Sequence, residues 1–61
     1  MSKTSEAIKR TEEWLDDRYS IFNMTGRNED LQYYRGAVKA VEFMGYEWRR
    51  HGDGKHTILP M

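Results

Sequence analysis

Tyr46-Glu47-Trp48-Arg49-Arg50-His51-Gly52-Asp53-Gly54-Lys55-His56-Thr57-Ile58-Leu59 is the stretch on which the fold turns. Before it, apolar residues recur every three or four positions; within it they alternate. Tyr46, Trp48 and Arg50 interleave with Glu47, Arg49 and His51, then Gly52-Asp53-Gly54 supplies a tight turn, and Thr57 and Ile58 are strand formers. The expectation is a C-terminal β-hairpin over about 46–59. An Asp-Gly turn would set Trp48 across from Leu59, and a three-residue turn would set it across from Ile58. A lone hairpin is marginal in water, so this one must lie on the helices or pair with another copy's hairpin.

Upstream, Gly45 ends a helix expected over about 29–44. Asn28 is a suitable cap for it, and Glu29 and Asp30 place negative charge at its positive end. Leu31, Tyr34, Val38, Val41 and Gly45 follow one seam, and Tyr33, Ala37, Ala40 and Met44 follow the next, with Phe43 at a third edge. Mid-helix Gly36 costs up to about 1 kcal/mol against alanine but permits close approach of another helix. A first helix is expected over about 5–23, capped by Thr4 or Ser5, with Gly26 as a left-handed exit. Ile8, Leu15 and Phe22 recur at seven-residue spacing with Thr11 and Tyr19 between them, and Ala7, Trp14 and Ile21 run one position away. The fold class is therefore α+β: a two-helix hairpin followed by a β-hairpin, in a single domain spanning 1–61.

Size and composition limit what such a chain does. Its 61 residues bury only about 60% of the surface exposed by the unfolded chain, and with no cysteine it has no disulfide to compensate. Two broad apolar helix faces then exceed what one copy can hide. A homodimer with a four-helix core is the expectation, its interface drawn from Ile8, Trp14, Leu15, Tyr19, Phe22, Leu31, Tyr34, Val38 and Val41. Ten basic residues balance ten acidic ones, so no net field draws the chain to nucleic acid or anionic membrane. No apolar run reaches the roughly 20 residues of a membrane span, and Met1-Ser2-Lys3-Thr4-Ser5-Glu6 lacks a signal-peptide core. A cytoplasmic address follows as the expectation.

The constellations that carry chemistry elsewhere are thin here. His51, Asp53 and His56 flank the turn, but two histidines and one carboxylate match no metal signature, so no metal or cofactor is expected. Glu12, Glu13, Asp16 and Asp17 read as a solvated face paired with Lys9, Arg10 and Arg18. No serine has triad partners, and the chain reads as non-enzymatic. Arg49, Arg50 and Lys55 beside Tyr46 and Trp48 form a basic ribbon, which makes them candidate nucleic-acid contacts. A protein–protein interaction module is the leading reading, with an accessory nucleic-acid-binding protein as the alternative.

Tyr33-Tyr34-Arg35-Gly36-Ala37, Ala40-Val41-Glu42-Phe43-Met44-Gly45-Tyr46 and Gly52-Asp53-Gly54-Lys55-His56-Thr57-Ile58 resemble small uncharacterised proteins encoded by bacteriophages and prophages of Gram-positive bacteria. The resemblance covers the second half of the chain. It implies binding to a host or phage macromolecule, as a regulator or assembly component, and carries no functional residues.

Overall fold

A computed structural model describes residues 3–60. Met1 and Ser2, at the start of the stretch read as lacking a signal-peptide core, lie outside the described residues. Helix α1 spans Lys3–Thr25, α2 spans Asn28–Phe43, and strands β1 (Tyr46–Arg50) and β2 (His56–Pro60) pair antiparallel. The chain is α+β, a helical hairpin followed by a β-hairpin.

The turns form where glycine permits a positive φ. Gly26 has φ 65° and donates its N–H to the Phe22 carbonyl at 2.7 Å, and Gly45 has φ 89° and donates to Glu42 at 3.0 Å. The helix starts differ from the sequence reading. Thr4 and Ser5 lie inside α1 rather than capping it. Arg27, not Asn28, is the residue before α2, and it has no side-chain cap. Instead the Thr25 hydroxyl accepts the Arg27 N–H at 3.2 Å and donates to the Asp30 carboxylate, tying the interhelical turn to the first turn of α2.

The hairpin takes the three-residue turn. His51 donates to Lys55 at 2.8 Å, Gly54 donates back to His51 at 3.0 Å, and Gly54 adopts φ 87°. Trp48 accordingly faces Ile58, and Arg50 faces His56. The helices cover one side of this ribbon, α1 against β2 and α2 against β1. Leu15, Tyr34, Ala37, Val38, Val41 and Ile58 form the core, with Ile8, Tyr19, Tyr46 and Trp48 packed around it.

This core corrects the burial argument. Leu15, Tyr34, Val38 and Val41, assigned to an interface from the sequence, are covered by the chain itself, and Leu15 is 0% exposed. The hairpin supplies the missing lid through Ile58 and His56, so one seam per helix needs no second copy. On α2 the neighbouring seam stays open at Tyr33, Ala40 and Met44, with Ala37 alone covered.

Candidate functional site

The most developed polar constellation lies beneath β2. Asp16 and Glu12, four residues apart on α1, accept hydrogen bonds from alternate backbone N–H groups of the strand. Asp16 Oδ1 takes the His56 N–H at 2.7 Å, and Glu12 Oε2 takes the Ile58 N–H at 2.7 Å. The spacing explains the match. Four helical residues rise about 6 Å, and two strand residues span about 6.6 Å. Continued one step further, the two series reach Ile8 and Pro60: an apolar side chain on one, and on the other a residue with no N–H to satisfy. The outer edge of β2 is thus fully supplied with acceptors where it has donors.

His56 completes the arrangement. Asp16 Oδ1 also receives its Nδ1–H at 2.8 Å, with the His56 side chain 0% and the Asp16 side chain 21% exposed. A carboxylate only accepts, so Nδ1 carries the proton, and in the neutral ring Nε2 accepts from the Tyr34 hydroxyl at 2.7 Å. Around the imidazole stand Tyr19 at 5.7 Å, Tyr34 at 5.5 Å and Trp48 at 6.1 Å between ring centroids. Burial raises the Tyr34 pKa above the ordinary 10.0, against the opposing pull of the neighbouring Arg50 guanidinium.

The Asp16–His56–Tyr34 relay has the connectivity of a proton-transfer site, and it joins β2 to both helices. Among the described residues His56 and Tyr34 are both buried, 5% and 3% exposed. Every buried side-chain polar atom among them is hydrogen-bonded, and a satisfied buried network fixes the docking of β2 on both helices.

The four carboxylates of α1, read from the sequence as partners of Lys9, Arg10 and Arg18, make no ion pair with them among the described residues. Arg18 instead lies over the Tyr33 ring at 4.4 Å. His51, Asp53 and His56 do not converge either: His51 Nε2 is 2.8 Å from the Thr57 hydroxyl, and Asp53 accepts the Lys55 N–H at 3.0 Å. Among the described residues no group of three His, Cys, Asp or Glu is placed to hold a metal ion.

The remaining interface candidates divide by exposure. Ile8 and Tyr19 are half-buried against the core, Phe22 and Leu31 are half-buried near the interhelical turn, and Trp14 is open. Beside Trp14 runs a stripe of α2 that faces away from the hairpin: Tyr33, Gly36, Ala40 and Phe43, at spacings of three, four and three. Its large members are bare, with Phe43 83%, adjoining Met44 74%, Tyr33 54% and Trp14 41% exposed. Trp14 and Tyr33 meet edge to face at 6.2 Å and, with Gly36, Ala37 and Ala40, line a shallow groove. A Cβ at Gly36 would meet nothing within 4 Å.

Of the basic ribbon, Arg49 and Arg50 occupy adjacent strand positions, so their side chains leave opposite faces of the sheet. Arg50 bends onto Tyr19 at 4.7 Å, Arg49 faces solvent, and Lys55 sits in the turn. No helix among the described residues is long and apolar enough to cross a membrane. No protein-family model matches the chain, and no curated protein or solved structure matches it either.

Proposed function

We propose that this chain is a non-enzymatic protein–protein interaction module that self-associates through the open seam of α2 and serves as a regulator or assembly component for a protein partner. One observation carries the reading: Tyr33, Ala40, Phe43 and Met44, with Trp14 beside them, leave an apolar stripe in water after the core is complete, bordered by Arg18 and Lys39. Gly36 and Ala40 at its centre let a second α2 come close, and the aromatic residues at its ends bury large areas with few torsions to freeze. The resulting dimer stacks two helices from each copy, with the hairpins on the outside.

Nucleic-acid binding has less support, because the ribbon presents Arg49 and Arg50 on opposite faces and the chain as a whole is neutral. Sedimentation equilibrium from low to high micromolar concentration tests the proposal. The expected result is a dimer that Phe43→Lys and Ala40→Lys convert to folded monomers. A wild-type chain that stays monomeric throughout overturns it.

A further inference from the structure

The two edges of the hairpin are treated differently. Because the N–H groups of His56 and Ile58 go to Asp16 and Glu12, the pairs Arg50↔His56 and Trp48↔Ile58 are the ones that do not exchange hydrogen bonds within the ladder. By the same alternation, the backbone N–H and C=O groups of Tyr46, Trp48 and Arg50 point outward from β1. Among the described residues these outward groups have no partner. The surface along them is an open, shallow groove lined by Glu47, Trp48, Arg49 and Arg50 alone. Proteins normally blunt such an edge, as this chain does on β2.

The flank of the bare edge is basic on balance, with Arg35, Lys39, Arg49 and Arg50 against Glu42 and Glu47. Trp48 donates its indole N–H to Glu42 at 3.1 Å, which identifies the stripe of α2 that borders β1. From Glu42 that stripe continues at helical spacing through Lys39 to Arg35. Arg35, Lys39 and Arg49 are exposed and make no ion pair among the described residues.

We propose that β1 is a receptor edge for an extended acidic segment of a partner protein, added as a third strand. Its backbone pairs with Tyr46, Trp48 and Arg50, and carboxylates at alternate positions on its helix-side face meet Lys39 and Arg35. This rests on the protein-binding reading and names the chemistry of the partner. It borders the α2 seam at Lys39 but uses the strand edge rather than the seam residues, so a self-associated pair offers two such edges.

The test is titration of the full chain with a short capped peptide alternating valine and glutamate, followed by amide hydrogen exchange, with sedimentation run on the same samples. Exchange at the Trp48 and Arg50 amides slows about tenfold or more on saturation, a valine–lysine peptide binds at least about tenfold more weakly, and N-methylation of the edge-facing amides abolishes binding. Arg35→Glu with Lys39→Glu, both on the surface, reverses the preference between the peptides. Absence of protection with either peptide, or binding indifferent to N-methylation or to the reversal, overturns the proposal. Protection of Trp48 that rises with protein concentration alone overturns it too, by giving the edge to a second copy. A seam dimer that persists beside a silent edge confines the failure to the edge, whereas a monomer that still takes the acidic strand confines it to self-association.

Discussion

β1 and β2 have the same length and lie in the same two-stranded sheet, yet one is furnished with acceptors from a helix and the other is left to solvent. Their side chains follow the contrast. β2 sinks His56 and Ile58 into the core, while β1 offers Trp48 only half-buried, holds Glu47 and Arg49 in water and lays Arg50 on the Tyr19 ring. In a chain this small, stability is concentrated where carboxylate meets strand, and the opposite edge is free for other use.

The sharpest way to break the contrast is Asp16→Ala, which removes the acceptor for two donors of a buried residue. The expected loss is about 2–4 kcal/mol in urea unfolding, a large part of the stability of a 61-residue domain. Asp16→Asn keeps an acceptor oxygen and loses less. Glu12→Ala removes the acceptor of a single donor, the Ile58 N–H, and costs about 1–2 kcal/mol. The matched change on the other strand, Glu47→Ala, leaves the unfolding midpoint where it was, because Glu47 has no partner among the described residues. Equal losses at Glu12 and Glu47 would erase the distinction between the strands.

The smallest change in slope is in alkali. Tyr34 touches both strands through His56 and Trp48, and burial raises its folded pKa above 10.0. Below pH 10 it is protonated in both states and its contribution is intact. As pH climbs from 10 towards the raised folded value, the unfolded chain sheds the proton first, so stability falls. Tyr34→Phe, measured by thermal unfolding across that window, is expected to flatten this slope while costing a fixed amount at neutral pH.

Much of the architecture was legible because it rests on local rules. The shift from a period of three or four to a period of two at Gly45 marked the change from helix to strand, and the Gly52-Asp53-Gly54 turn limited the register to two choices, one of which is found. Gly26 and Gly45 sit where left-handed exits were expected. The helical seams through Leu15 and Tyr34 were read correctly as buried, but the cover was misassigned to a second copy, since nothing local says that a hairpin folds back over them. Asp16 and Glu12 were misread for the same reason. Their partners are backbone N–H groups 40 and 46 residues downstream, which carry no residue signature. The available clue was position: both carboxylates border the Leu15 seam rather than lying opposite it, at the one spacing that suits alternate residues of a strand.

That spacing also acts as a ruler. If β2 slid along α1 by two residues towards its own C-terminus, the Ile58 amide would come against Ile8, where no oxygen waits; sliding the other way would bring Pro60 to Glu12 and leave a carboxylate with nothing to accept. Either slip loses a bond, and a slip of one residue turns Ile58 out of the core. Two acids, one aliphatic residue and Pro60 thus set where the ribbon sits on the helix, a position code written in helix pitch and read by the strand.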